Sequence, residues 1–469
     1  MSEVAALKGS FLSRMGDSTI EFLRRLEVDR AVIYSLATRI LQVIVGLITL
    51  LMIARYFTPD VQGFYYTFFS LIALQSFVEL GFYIVVVNVA SHEWINLDLD
   101  SQGCIIGNPE SLSRLVSLGR FIFKWYSVAS VIFMAVVSIA GYVFLSVSGG
   151  NEISWQAPWI ALVIVTGFSL LTMPFNSLLE GCGQISTVYK FRLFQSGYSG
   201  VALWLTIWLG GALWATVALA GVNVICNLYL QLVRYRKFFK AFLVRPARGM
   251  INWKKEVLPM QWRVALSGMV NYFAFSLFTP VMFYYHGSVV AGQMGMTWQI
   301  MRAIQGLAIA WVAAKIPVYG RLVATKDYVG LDRYWFRCSL ISVMVMVAGA
   351  IALWVFIYEM NVMQIFFAKR VLAPFSVGLF LFAFVLMQVL QCLTAYLRAH
   401  KQEPILVMSV TIGGVVGITV WLAGSRFGPV GAAFVYMVSL LIGVVWEILI
   451  WSKCRRIWHG DVQNSVELS

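Results

Sequence analysis

The chain has 469 residues, of which 60% are apolar and only 12% charged. A soluble domain carries roughly 25% charge, so water is not the solvent for most of this surface. The net charge of +14 does not point to nucleic acid. The Lys and Arg residues sit between long apolar runs, where anionic lipid and membrane topology account for them.

Residues 1–30 are polar and basic and lack a signal peptide's apolar core. Leu7, Phe11, Leu12, Met15, Phe22, Leu23 and Leu26 alternate there with Lys8, Arg14, Arg24 and Arg25, the pattern of a short amphipathic helix on a membrane surface. About twelve spans come after it, each long enough to cross about 30 Å of hydrocarbon at 1.5 Å per residue. They lie near 31–56, 64–90, 121–147, 157–180, 191–209 and 211–233, then 260–285, 293–319, 336–358, 374–397, 405–424 and 428–451. Strict alternation is absent, which excludes an outer-membrane barrel. The expected fold is an all-α polytopic membrane protein.

The basic loop 234–259 divides the spans into an N-lobe, 31–233, and a C-lobe, 260–451, followed by a tail, 452–469. A weak echo between the first outer turn, Phe57 to Gly63, and Tyr285 to Gly292 suggests a parallel six-span repeat. Two such lobes would flank a central cavity. With the N-terminus inside, outer loops hold only Arg55, Lys369, Arg370 and Arg426, and nearly all other basic residues fall inside. That asymmetry predicts cytoplasmic termini.

Several charges fall where lipid could not hold them. Arg39 and Glu79 lie at similar depth on adjacent spans, so they are expected either to pair or to serve transport, with Glu79 as the candidate for ion coupling. Arg39 shares a polar face with Ser35, Thr38, Gln42, Gly46 and Thr49. Arg302 is sharper, because its span contains no acidic residue and Trp298 and Gln305 recur beside it at helical spacing. A desolvated guanidinium needs water, a distant carboxylate or an anion, and phosphate matches its fork. Arg302, Arg39, Gln305 and Gln42 are therefore the candidate ligand residues. Arg55 and Lys315 are secondary candidates, Lys315 lying where snorkelling also accounts for it.

Glu180 and Glu447 come near inner helix ends beside Lys190 and Lys453, and read as structural. The pairs Asn223 with Asn227 and Gln388 with Gln391 read as helix-joining groups. Pro174, Pro280 and Pro317 offer places to bend. The six cysteines are scattered without a C-x-x-C, and the four histidines show no metal-ligand spacing. No metal site, Gly-rich phosphate loop or nucleophile–base pair is visible, so no enzyme is expected.

The first hairpin, Ala54-Arg55-Tyr56-Phe57-Thr58-Pro59-Asp60-Val61-Gln62-Gly63-Phe64-Tyr65 followed by Glu79-Leu80-Gly81, resembles the bacterial polysaccharide flippases of the O-antigen type. These share a superfamily with the multidrug and toxin extrusion transporters and the lipid II flippase. Ile316-Pro317-Val318-Tyr319-Gly320-Arg321-Leu322 with Tyr328-Val329-Gly330-Leu331, and Pro174 with Leu178-Leu179-Glu180-Gly181-Cys182-Gly183-Gln184, add to the likeness. Gly287-Ser288 departs from it where a proline would sit. The resemblance implies two six-helix lobes around a cationic cavity that opens alternately to either side of the bacterial inner membrane. Its implied cargo is a polyprenyl-diphosphate-linked glycan, moved to the periplasmic leaflet for surface polysaccharide synthesis. The implied partners are membrane lipids, a polysaccharide polymerase and glycosyltransferases. No cofactor is implied beyond a proton or sodium gradient, and the basic cavity residues would be Arg39 and Arg302. The competing expectations are an ion-coupled exporter of small amphipathic compounds, which needs Glu79, and a membrane glycan polymerase, for which the outer loops are short.

Overall fold

The computed structural model describes residues 30–79, 81–148, 153–244, 275–400 and 403–466, with Trp253, Leu258, Gln261, Trp262, Ala265, Leu266, Tyr272 and Phe273 between them. The expected N-terminal amphipathic helix and much of the 234–259 loop lie outside these residues. Helix α1 (Arg30–Tyr56) ends where Thr58 takes over as the cap of α2 (Pro59–Ile72). The Thr58 hydroxyl accepts from the Val61 N–H at 3.3 Å, Pro59 opens the helix and Asp60 lies in its first turn. Each of these residues suits a helix start.

The second pass is not one straight span. It continues as α3 (Gln75–Glu79) and α4 (Phe82–Trp94), broken at Gly81, whose φ of 67° suits glycine. The expected loop 91–120 is also structured. Strands β1 (Leu97–Leu99) and β2 (Ile105–Gly107) pair antiparallel, with Asp100 Oδ1 accepting from the N–H groups of Gln102 and Cys104 at the turn. Helix α5 (Pro109–Ser148) then begins well before the apolar run expected from residue 121.

Helices α6 (Gln156–Gly181), α7 (Ile185–Trp208) and α8 (Trp214–Tyr229) complete the first lobe. A π-helical turn, Leu230–Arg234, leads into α9 (Arg236–Lys240). The extra residue of such a turn rotates the helix beyond it. Phe238 is buried and Phe242 lies against Gly119, where an added Cβ would come 2.3 Å from its ring. The first part of the basic loop is thus docked on the lobe.

The second lobe contains α10 (Phe278–His286), α11 (Ser288–Ala313), α12 (Ile316–Ala324), α13 (Tyr328–Val362), α14 (Pro374–Ala399) and α15 (Leu406–Val466). Pro317 opens α12 after a break at Lys315, and α15 bends at Gly428, φ 61°, where the last two passes meet. Pro174 instead sits inside α6. The chain is an all-α multi-pass membrane protein with two helical lobes.

The lobes meet at the end that holds the Thr58–Gly63 turn, here the turn end; the opposite end carries most of the basic loops. Gly63 lies so close to α11 that an added Cβ would be 2.0 Å from the Ser288 carbonyl oxygen. Gly295 gives similar room to Tyr66. Ser288 Oγ donates to the Asp60 carboxylate across the junction. Gln62 Nε2 donates to the carbonyls of Gly292 at 2.8 Å and Arg370 at 3.0 Å, and Arg370 donates to Phe57 O and Gln62 Oε1. Among the described residues Arg370 is buried there without a carboxylate partner, its guanidinium 4.8 Å from the Phe366 ring centroid. At the basic end the α11 surface opens: a Cβ added at Gly306 would meet no described atom within 4 Å, and Ala310, Ala313 and Ala314 are exposed. Among the described residues, then, α2 and α11 close the junction at the turn end, while the α11 surface toward the basic end is exposed.

Candidate functional site

Helix α1 packs chiefly on α7. Gly197 and Gly200 allow that approach, lying against Leu41 and Val45. The two α1 faces differ in chemistry. Ile40, Ile44, Leu47 and Leu51 form an exposed apolar face, suited to lipid. Gln42, Gly46 and Thr49 line a cavity of about 420 Å³ with Tyr65, Arg192, Gln195, Ser196, Ser199, Asn223 and Gln299. Its volume is in the ordinary range for a small-ligand site, about 300–1,000 Å³.

The walls are held by their own hydrogen bonds. Gln42 Nε2 donates to Ser196 Oγ at 3.4 Å, Gln195 Nε2 to the backbone carbonyl of Asn223 at 3.2 Å, and Trp204 Nε1 to Thr49 Oγ1 at 2.9 Å. Gln299 comes from α11 of the other lobe, and its Nε2 lies 3.9 Å from where a Cβ on Gly46 would stand. The cavity therefore lies in the first lobe but is completed by the second.

Arg39 and Arg302 lie outside the residues that line this cavity, on the same helices as Gly46 and Gln299. Arg302 is one helical turn from Gln299, about 4.5 Å along the axis, and Arg39 is two turns from Gly46, about 10 Å, both toward the basic end. Each is exposed, and neither has an ion pair or hydrogen bond among the described residues. The Arg302 guanidinium carbon is 5.2 Å from the Phe275 ring centroid. Each lobe thus contributes one exposed cation between the cavity and the basic end.

Other candidates fall elsewhere. The expected Arg39–Glu79 pair does not form, because α1 packs on α7 rather than on the second pass, and the short helix carrying Glu79 packs on α5. Gln305, though near Arg302 in spacing, is buried and does not line the cavity, and its Nε2 has no partner among the described residues. Arg55 lies at the turn end, 6.0 Å from the Tyr56 ring centroid, and Lys315 is the half-buried break before α12. Neither lines the cavity.

The structure adds groups that sequence spacing did not assign. Glu180 is buried and accepts from both Tyr83 and Arg192, so its partner is Arg192 rather than Lys190. Arg192 is thereby held in the cavity wall with its charge met. Glu447 accepts from Thr394 at 2.8 Å, not from Lys453. Asn227 joins helices by accepting from Asn176 at 3.1 Å, and Gln388 does so by donating to Ser342 at 2.7 Å. Asn223 instead lines the cavity. The stripe Arg192, Gln195, Ser196, Ser199 on α7 was readable as one polar face, and Gln299 one turn before Arg302 was the other available signal.

No family model matches the chain, and no curated protein matches it. Solved structures do. An inward closed lipid II flippase MurJ aligns with TM-score 0.64 at 12% identity, over 89% of this chain and 87% of that one. An inward-facing multidrug resistance MATE family transporter of the MOP superfamily aligns with TM-score 0.65 at 15% identity, over 90% and 99%. The chain shares its fold with these two membrane proteins. An outward-facing MATE family transporter of the same superfamily aligns with TM-score 0.50 at 14% identity, over 91% of this chain and 96% of that one. The solved structures that it resembles are of a flippase and of transporters.

Proposed function

We propose that the chain is a flippase for a polyprenyl-diphosphate-linked oligosaccharide, working by alternating access in the bacterial inner membrane. The observation that carries this reading is the pair of guanidinium groups without carboxylate partners among the described residues, Arg39 and Arg302, one on each lobe beside a polar cavity. Guanidinium forks bind phosphate oxygens in bidentate fashion, and these bonds strengthen away from bulk water. The fold is the same as that of a solved lipid II flippase, which supports a lipid-linked cargo. The basic end is then cytoplasmic, with both termini there. Cargo arrives from glycosyltransferases in the inner leaflet, and the product is available to a polymerase in the outer one. The lipid tail stays in the bilayer while the diphosphate passes between the lobes.

The test is glycan export in a strain lacking the native gene and complemented with Arg39→Ala, Arg302→Ala or both. Each single change lowers export about tenfold or more, and the double change abolishes it, with protein level unchanged. Full export by the double variant would rule the reading out. The likeness to a MATE family transporter favours one other reading, an ion-coupled exporter of small amphipathic compounds with Glu79 as the exchanging carboxylate. That reading requires drug accumulation to rise in Glu79→Gln cells, and an unchanged level would remove it.

A further inference from the structure

The cavity and the cations differ in charge, and that difference sorts the two ends of the cargo. This inference rests on the flippase reading. The walls contributed by Gln42, Gln195, Ser196, Asn223 and Gln299 are carboxamides and a hydroxyl, each of which can both donate and accept. The only full charge among the wall residues, Arg192, is already met by Glu180. The cavity is therefore polar but close to neutral. The unmet positive charge lies outside it, about one to two helical turns away at Arg302 and Arg39.

We infer that this cavity receives the sugar joined directly to the diphosphate, and that it selects an uncharged sugar. A diphosphate held between Arg39 and Arg302 places its first sugar at the cavity mouth, a turn of helix further along. Ring hydroxyls and an acetamido group are met there by amide donors and acceptors, and the Tyr65 ring lines the same wall. A uronic acid would bring a carboxylate with no free cation in the wall to meet it, and a desolvated unpaired charge is disfavoured. An unsubstituted amino sugar would suffer likewise. Later sugars lie in the open gap and are read less strictly. Gln299 has a special place, since it is the C-lobe's contribution and leaves the cavity when the lobes rearrange. Sugar binding is thereby coupled to the lobe position.

The experiment uses purified full-length protein in lipid nanodiscs with three probes: polyprenyl alcohol, polyprenyl diphosphate, and polyprenyl-diphosphate-N-acetylglucosamine. Wild type binds the sugar-bearing lipid about tenfold tighter than the bare diphosphate, as two or three neutral hydrogen bonds give. Asn223→Leu and Gln299→Leu bring that ratio close to one while leaving bare-diphosphate binding unchanged, which also shows that these variants fold. Arg302→Ala weakens both diphosphate lipids by the same factor. A wild-type ratio near one, or loss of both lipids equally in Asn223→Leu and Gln299→Leu, would overturn the sugar assignment alone. Binding of neither diphosphate lipid above polyprenyl alcohol would overturn the flippase reading and this inference with it.

Discussion

Replacing Arg370 by Met should loosen the turn end without touching the cavity. In the closed junction Arg370 donates to Phe57 O and Gln62 Oε1, and its carbonyl accepts from Gln62 Nε2 at 3.0 Å. Hydrogen bonds from a charged donor contribute about 1.5–3 kcal/mol. They exist only while the lobes are shut, so their loss acts on the closed-to-open balance rather than on folding. A change of that size shifts the open fraction about 10- to 150-fold. The desolvation of a buried cation works against the closed state and is relieved in Arg370→Met, so the lower half of that range is expected. The readout is Met296→Cys, at a fully buried position beside Gln62, in a background without the six native cysteines. An impermeant maleimide added from the turn end should label that thiol about tenfold faster in Arg370→Met. Arg55→Met, at the same end but outside the junction, should leave the rate unchanged. Adding Gln62→Leu to Arg370→Met should do little more, because the two residues act as one unit. Equal labelling rates with Arg370 and with Arg370→Met would refute the latch.

Gly63→Ala should open the same junction by a different route: the new Cβ would lie 2.0 Å from a backbone oxygen, which cannot give way as a side chain can. Overpacking of this kind costs about 1–3 kcal/mol, and Met296→Cys should react fast even with Arg370 intact. Glu180→Gln leaves Arg192 without its counter-charge; because Arg192 is a third exposed, the loss is about 1–2 kcal/mol rather than the full cost of a broken buried pair. It should appear as a lower melting temperature in detergent, and Arg192→Gln on top should recover part of it. At the basic end, burial holds the His400 imidazole below its ordinary value, and the ring stacks on Trp458 with centroids 3.8 Å apart. Because the folded state disfavours the charged ring, this stability is full above about pH 6.5 and is lost as the pH falls. His400→Phe should flatten that part of the melting-temperature profile while leaving the Asp332–Arg455 pair in place.

The hairpin was legible in the sequence because its cause is local. Thr58, Pro59 and Asp60 specify a helix start whatever lies around them, and the structure places α2 there. Arg39 and Arg302 were legible because a charge in an apolar run is anomalous before any packing is known. The pairing of Arg39 with Glu79 was not, since helix rise fixes depth but not which neighbour a helix chooses. With α1 seated on the small residues of α7, Arg39 stays exposed. The cavity was hidden for a related reason. Gln195, Asn223 and Gln299 are neutral, so each alone is compatible with helix joining, as Asn227 and Gln388 in fact do. Only the meeting of α1, α7, α8 and α11 makes them a wall. Arg370 read as an ordinary loop cation, and its burial comes from a loop and a helix end more than 300 residues apart, as its bond to Phe57 spans.

The latch and the two cations place opposing forces at opposite ends of one lever. The turn end is held by bonds that the protein makes to itself, about 1.5–3 kcal/mol from the arginine alone. The basic end holds charges whose partners the described residues do not supply. A diphosphate that bridges Arg39 and Arg302 would draw the lobes together there, and the junction at Gly63 would have to part. A ligand moves such a balance only by its differential affinity for the two states. Two charge-assisted phosphate contacts are of the same order as the latch, so the resting state can be closed at the turn end and still yield to cargo. Polyprenyl diphosphate should therefore speed labelling of Met296→Cys when both arginines are present. It should have no effect with Arg39→Ala and Arg302→Ala combined, where the basal rate stays low because the latch is intact. Acceleration that survives in the double variant would separate the cations from the lever and leave the latch without a ligand to work against.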